Sequence, residues 1–122
     1  MSTNGRVVVG CTSGEEDPDR VAVAYLTAVA ALDKGKDVVM WLTVEGVRLG
    51  LTGYADRIRV DKEPPIERLH QQFTEKGGQF FVCPICFKER DLDEAELGEG
   101  AELKGATPLM EFVGDGATTF NY

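Results

Sequence analysis

Short apolar runs alternate with longer helical stretches along this chain, and turn residues separate them. Three runs are rich in β-branched or aromatic residues and show no polar alternation, at residues 6–11, 38–42 and 79–82. A continuous apolar run of this length is typical of a strand buried on both faces of a parallel sheet. Weaker runs at 101–106 and 117–121 predict further strands. The pattern predicts a mostly parallel sheet of about five strands.

Helices are predicted in the intervals between these strands. Residues 17–20, Asp-Pro-Asp-Arg, supply an N-cap, a proline and an acidic first turn for a helix that runs to about Lys34. A second helix opens at residues 63–65 and ends at 76–78. Shorter helical stretches are predicted at 44–51, at 91–97 and from the cap-plus-proline pair Thr107-Pro108 through Phe112. The alternation predicts one domain over residues 1–122, a three-layer α/β/α fold with right-handed crossovers.

The first helix has almost no polar face between Val21 and Leu32. A helix that is apolar all round is expected to be buried all round. In so small a domain its own sheet covers one face, so the second face is a candidate subunit interface. The alternative is that alanine, the best helix former, is simply tolerated at exposed positions.

Composition narrows the function classes. The chain has 122 residues and a formal charge of −8, with acidic residues spread along its length. This excess of negative charge disfavours binding to nucleic acid or to an anionic membrane surface and favours a protein partner. No charged leader and no apolar run near the ~20 residues of a membrane span is found, so a cytoplasmic protein with reduced thiols is expected.

The stretch Cys83-Pro84-Ile85-Cys86 is the main chemical candidate. A strand delivers Cys83 and a proline follows, which predicts Cys83 as the N-cap of a strand-to-helix turn. Unpaired N–H groups at such a site can lower a cysteine pKa from about 8.5 into a range of roughly 3.5–7.5. Cys86 lies three residues on, on the same helix face. The predicted roles are nucleophile for Cys83 and resolving thiol for Cys86.

Two other predicted strands end at polar or thiol residues. Cys11 ends the first strand and Thr43 follows the second. Because ligands gather at the carboxyl ends of parallel strands, Cys11, Thr43 and Pro84 are predicted to surround the reactive cysteine. For Cys11, a role as a buried apolar filler is the stronger alternative.

Several chemistries fit the cysteine pair. Structural zinc needs four ligands, and only Cys11 and His70 are available beside the pair, so no metal site is predicted. Thiol–disulfide exchange, transfer of a persulfide sulfur and simple burial of small apolar side chains all stay open. His70 is expected to be solvated or half-buried. No glycine-rich phosphate motif is present, and no cofactor is expected.

Taken together, these residues resemble the DsrE/DsrF-like family, small sulfur-relay α/β proteins of YchN-like fold. The resemblance rests on the glycine-containing first strand, on residues 17–20 before an alanine-rich helix, and on residues 38–49 around the second strand. It rests further on Cys83-x-x-Cys86 leading into residues 88–90 and on the segment 105–109.

The resemblance implies a trimeric or hexameric homo-oligomer and a sulfurtransferase-like carrier. In relay members a cysteine at the position of Cys83 accepts persulfide sulfur and passes it to a partner protein. Only Cys83 inherits this role, because Cys86 and Cys11 have no assured counterpart. Whether the chain is an enzyme stays open, and the alternatives are an oligomeric scaffold module or a redox protein that uses both Cys83 and Cys86.

Overall fold

The strands of the chain form a parallel sheet. A computed structural model describes residues 5–61 and 64–122. The strands in these ranges are β1 (Arg6–Cys11), β2 (Asp37–Leu42), β3 (Gln79–Val82), β4 (Ala101–Leu103) and β5 (Thr118–Asn121). They lie in the order β4-β3-β2-β1-β5, and every neighbouring pair is parallel. The predicted α/β class and five-strand sheet are therefore confirmed, and the sheet is wholly parallel.

The helices cover both faces of this sheet. They are α1 (Pro18–Asp33), α2 (Ile66–Glu75), α3 (Pro84–Glu89) and α4 (Ala106–Val113). Steps from β1 to β2 to β3 move one way across the sheet, and α1 and α2 pack together on one face. The connection from β4 returns to β5 at the opposite edge. A right-handed connection in the reverse direction places its helix on the other face, which is where α4 lies.

Two apolar clusters form the core, one on each face of the sheet. The larger cluster lies under α1 and α2 and contains the large side chains Tyr25, Phe73 and Phe80. The smaller cluster joins Val8, Val39 and Phe81 to Leu109 of α4. Because successive strand residues face opposite sides, continuous apolar strands are needed to supply both clusters. This explains the absence of polar alternation in β1, β2 and β3.

The first helix is buried on one side only within the single chain. Its buried residues are Val21, Ala24, Tyr25, Ala28 and Val29. Val23 and Leu26 remain 43% and 47% exposed. The expectation of burial all round is therefore not met by the chain's own sheet.

Two predicted helix boundaries are wrong. The stretch 91–97 forms only a 3₁₀ turn at Glu94–Glu96, because Asp91 adopts a left-handed φ of 53° that ends α3 and a short acidic segment is a marginal helix. Thr107 is not a cap: α4 begins at Ala106 with Gly105 as N-cap. Pro108 is tolerated in this first turn because the N–H groups there have no intrahelical partner.

The opening of α2 differs slightly from the prediction as well. Helix α2 begins at Ile66 with Pro65 in the N-cap position. Glu63, part of the predicted opening, lies outside the described residues. In the parts of the chain that are described, no helix is both long and apolar enough to cross a membrane.

Candidate functional site

Cys83 lies where β3 passes directly into α3. Its N–H donates to the carbonyl of Leu42 over 3.0 Å, which continues the β2–β3 ladder, and its carbonyl accepts from the N–H of Phe87 over 3.0 Å. Cys83 is thus the N-cap of α3, as predicted, with Pro84 as the first helical residue. Its side chain makes no capping hydrogen bond and is partly exposed. The backbone is fixed while the thiol stays available for chemistry.

Cys86 lies one turn into α3, and its thiol interacts with the thiol of Cys83. The backbone amide of Val44 also interacts with the Cys86 thiol. Partial burial raises the pKa of the Cys86 thiol, the amide of Val44 opposes this, and the contact with Cys83 adds to the rise. The Cys86 thiol is therefore protonated at neutral pH.

The chain after β2 forms the wall of the site opposite α3. Thr43 donates its N–H to the carbonyl of Cys11 over 3.2 Å, and a 3₁₀ helix follows at Val44–Gly50. Val44 has a left-handed φ of 54° and is 46% exposed. For a β-branched residue this backbone conformation is a genuine outlier that costs on the order of 1–3 kcal/mol. The strained peptide is the one whose amide reaches Cys86.

A close approach of backbones fixes this 3₁₀ helix over the end of β1. A Cβ at Gly46 would clash with the carbonyl oxygen of Cys11 and would lie 2.9 Å from its carbonyl carbon. Gly46 donates its N–H to the carbonyl of Thr43 over 2.9 Å. Only glycine fits here, so the wall of the site depends on a residue without a side chain.

Glu45 connects this wall to α3 through two arginines. One carboxylate oxygen accepts from Nε of Arg90 over 2.6 Å, and the other accepts from Nε of Arg48 over 2.8 Å. Arg90 also donates from Nη1 to the carbonyl of Cys86 over 3.0 Å. The hydrogen bond from Arg90, followed by that from Arg48, lowers the pKa of Glu45, so the carboxylate is charged at neutral pH.

Sequence reasoning assigned no role to Glu45, Arg48 or Arg90. The sequence did contain a pattern that could have indicated the ion pair. Glu45 follows the end of β2, Arg90 ends the helix that follows β3, and these two strands are neighbours. For Val44 no pattern existed, since a β-branched residue is the least expected one at positive φ.

Cys11 contributes its backbone to the site rather than its thiol. The residue is fully buried in the larger cluster, and its thiol donates to the carbonyl of Ser13 over 3.5 Å. Burial raises the pKa of the Cys11 thiol above its ordinary value. Its carbonyl accepts from Thr43, so Cys11 and Thr43 position the wall, while Pro84 starts α3.

His70 belongs to a different part of the molecule. Its Nδ1 lies 2.6 Å from the hydroxyl of the fully buried Tyr25, and its ring stacks on Phe80 at 5.0 Å. Burial lowers the pKa of His70. His70 lines a groove with Asp56 and Glu99, and none of the three cysteines lines that groove. His70 is half-buried, one of the two environments expected.

Metal ligation has no support among the described residues. No group of three or more histidine, cysteine or acidic side chains within 5–61 and 64–122 is arranged to hold an ion. All three cysteines are free thiols. The arrangement is a pair of contacting thiols beside a strained amide and an ion-pair network.

Comparison with known sequences relates the chain to one family and to two archaeal proteins. The family model described as DsrE/DsrF-like matches residues 5–122. The uncharacterized protein MK0008 of Methanopyrus kandleri is 33% identical over 95 residues, which cover 78% of this chain and 75% of that protein. The uncharacterized protein MJ0760 of Methanocaldococcus jannaschii is 26% identical over 102 residues, 84% of this chain. The match spans only 37% of MJ0760.

Comparison with solved structures relates the fold to two further proteins. The YchN protein of E. coli superimposes with a TM-score of 0.76 and 16% identity, over 100% of both chains. MTH1491 of Methanobacterium thermoautotrophicum, a protein of unknown function, gives a TM-score of 0.70 and 17% identity, over 97% of this chain and 99% of that one. At these identities the likeness concerns the fold.

Proposed function

The chain belongs to the DsrE/DsrF-like family, and we propose that it carries sulfur as a persulfide on Cys83 and passes it to a partner protein. The observation that carries this proposal is the contact between two free, partly exposed thiols where β3 meets α3. A carrier needs an accessible thiol that the fold does not consume, and the side chain of Cys83 makes no capping bond. The activity is sulfurtransferase-like and uses no cofactor.

Loading is an exchange between sulfur atoms. The thiolate of Cys83 attacks the outer sulfur of a donor persulfide, a new S–S bond forms, and the donor leaves as a thiolate. Delivery repeats the step in the other direction: a thiolate of the acceptor protein attacks the outer sulfur and Cys83 leaves as a thiolate. No external oxidant or reductant is required in either step.

Cys86 provides a second route for release. Its thiol can attack the inner sulfur of the Cys83 persulfide, so that a Cys83–Cys86 disulfide forms and the outer sulfur leaves as hydrosulfide. The S–S bond to the outer sulfur breaks as the Cys83–Cys86 bond forms: the Cys86 sulfur is oxidised, the outer sulfur is reduced and takes the Cys86 proton, and the Cys83 sulfur keeps its oxidation level. The interaction between the two thiols supports this route.

Incubation with a low-molecular-weight persulfide, followed by intact-mass measurement, tests the proposal. The wild type and a Cys11→Ala control are expected to gain about 32 Da, the mass of one sulfur atom. Cys83→Ser is expected to show no gain, and Cys86→Ser is expected to retain the added sulfur for longer. Absence of the heavier species in both the wild type and Cys86→Ser, or equal loading of Cys83→Ser, would contradict the proposal and leave the scaffold interpretation.

Thiol–disulfide exchange is the second candidate function, and the same contact between Cys83 and Cys86 favours it. It requires the pair to cycle between dithiol and disulfide near the cytosolic poise of roughly −220 to −320 mV. A pair that cycles in this range but gains no sulfur would favour the redox function over the carrier.

We further propose that the chain assembles as a homo-oligomer, a trimer or hexamer, through the exposed face of α1. Leu26 and Phe120, 47% and 41% exposed, line one open apolar groove together with Ala30 and Ala31. Contiguous exposed apolar surface of this kind marks interaction sites.

Light scattering at micromolar concentration tests the assembly. The wild type is expected to be larger than a monomer, and Leu26→Lys is expected to shift it to the monomer because a charge would be buried in the contact. Met110→Lys, at an exposed apolar position on α4, is the matched control and is expected to leave the mass unchanged. A monomeric wild type would refute the interface.

A further inference from the structure

Glu45 and Arg90 lie between the two elements that hold the cysteine pair, and neither is needed as a reacting group. We propose that they are positioning residues that hold Cys86 against Cys83, so that the pair closes readily to a disulfide. This role concerns the same two thiols as the proposed function, and it rests on that function in no other way. Three features support it: the bond network, the strained peptide and the low cost of the network to folding.

The bond network reaches the cysteine residue itself. Arg90 ends α3, and its guanidinium contacts the Glu45 carboxylate over 2.6 Å and the carbonyl of Cys86 over 3.0 Å. Two N–H groups of one planar fork thus tie the segment after β2 to the backbone of Cys86. Charge-assisted bonds of this length are stronger than neutral ones. The fork fixes the turn of α3 that carries Cys86.

Arg48 removes the remaining freedom of the Glu45 side chain. Its Nε donates to the second carboxylate oxygen over 2.8 Å, three residues along the same 3₁₀ helix. Both oxygens of Glu45 are therefore engaged, by Arg48 within the segment and by Arg90 across the site. The carboxylate cannot rotate away from Arg90 without losing both contacts.

The strained peptide of Val44 is adjacent to this fixed carboxylate. Val44 is held at a φ of 54°, and its amide interacts with the Cys86 thiol. A backbone conformation of this kind persists only where the surroundings over-determine it. Holding Glu45 on Arg90 fixes the preceding residue, Val44, so the amide stays near Cys86 and Cys86 stays near Cys83.

The network contributes little to the folded state as a whole. The side chains of Arg90 and Glu45 are 20% and 35% exposed, and those of Arg48 and Glu45 are 31% and 35% exposed. Partly exposed ion pairs contribute little to the free energy of unfolding, because solvent screens them. A change in the network is therefore expected to affect the geometry of the thiols more than global stability.

Equilibration of the pair with glutathione measures the proposed role. One glutathione disulfide oxidises the two thiols, a Cys83–Cys86 bond forms, and two glutathione thiols are released. Thiols held in contact have a high effective concentration for this closure. Glu45→Gln is expected to lower the equilibrium constant about tenfold, which corresponds to about 30 mV for a two-electron couple. Arg90→Lys, which keeps the charge but loses the fork, is expected to move it in the same direction.

The control is Glu15→Gln, which breaks an exposed ion pair with Arg57 of 2.8 Å. It is expected to leave the constant within about twofold, because the pair does not touch the cysteines. An unchanged constant in both site variants, or an equal shift in the control, would overturn the proposal. If Glu45→Gln does not fold, Arg90→Lys decides alone. No sulfur donor is present, so failure of the persulfide function would leave this constant unaffected.

Discussion

Two strand ends at the same edge of the sheet, those of β1 and β3 on either side of β2, show how differently the same sequence feature can be used. Both strands are parallel, apolar and followed or ended by a cysteine at the same edge of the sheet. Cys11 is fully buried, whereas Cys83 is partly exposed. A cysteine at a strand end is thus only a candidate reactive residue until the burial of its thiol is known.

The difference arises from the segment that each strand leads into. After β1 the chain passes through a loop before α1 begins at Pro18, and the 3₁₀ helix Val44–Gly50 lies over the Cys11 carbonyl. After β3 the chain turns at once into α3, because Pro84 is already set for a first helical position. The Cys11 thiol is buried in the larger apolar cluster, whereas the helix that begins at once after β3 leaves the Cys83 thiol partly exposed.

The largest effect is expected from displacing the 3₁₀ helix Val44–Gly50 from the end of β1. Gly46→Ala would place a methyl group against the backbone of Cys11, and backbone cannot move aside as a flexible side chain can. Overpacking at such a site is expected to lower the free energy of unfolding by about 3 kcal/mol. Urea denaturation at neutral pH measures this loss.

Gly105→Ala provides the control for that experiment. A Cβ there would meet only Pro84 Cδ, at 3.9 Å, an ordinary contact, and the φ of −88° suits any residue. Its stability is expected to change by less than about 1 kcal/mol. Equal losses in the two variants would mean that the contact between Gly46 and Cys11 does not determine the structure of this region.

A smaller effect is expected in the pH dependence of stability, to which the buried thiol at the end of β1 contributes. Burial raises the pKa of Cys11, so the thiol stays protonated in the folded protein at a pH where it ionises in the unfolded chain. The stabilisation is complete below the unfolded pKa and is lost as pH rises through the folded value. Above the unfolded pKa of about 8.5 the wild type is expected to lose up to about 1.4 kcal/mol per pH unit through this group.

Comparison with Cys11→Ala isolates that contribution. The variant is expected to be less stable at neutral pH, because the lost sulfur leaves a cavity, but to decline less steeply in alkali. The Cys86 thiol titrates in both proteins alike and cancels in the difference, whereas Cys11 adds to the raised pKa of Tyr25, so this coupling is part of the Cys11 contribution. Parallel stability curves for the two proteins would show that the Cys11 thiol is not buried as described.

Most of the fold could be predicted because its signals are local. Continuous apolar runs mark β1, β2 and β3, and the Asp17–Pro18 cap marks the start of α1. The turn at Cys83–Pro84 was predictable for the same reason, since a cap and a proline lie side by side in the sequence. The helix predicted at 91–97 was wrong because the composition of this stretch permits a helix, whereas the left-handed conformation of Asp91 prevents one.

The site itself was only partly predictable, because its geometry depends on contacts between distant residues. Glu45 and Arg90 are 45 residues apart in the chain and meet only because β2 and β3 are neighbours. The left-handed Val44 has no sequence signature at all. The two thiols could be proposed as a pair from their spacing, but the wall that holds them required the structure.

We propose that the thiol at the end of β3, and not the one at the end of β1, carries the sulfur. Peptide mapping of the native protein after exposure to a persulfide donor tests this most directly, because all three thiols compete in one sample. The added sulfur of about 32 Da is expected on the peptide that contains Cys83, or as a Cys83–Cys86 disulfide after release, with Cys11 unmodified until the protein is unfolded. Sulfur found first on Cys11, or on none of the three cysteines, would contradict the assignment of the carrier role to Cys83.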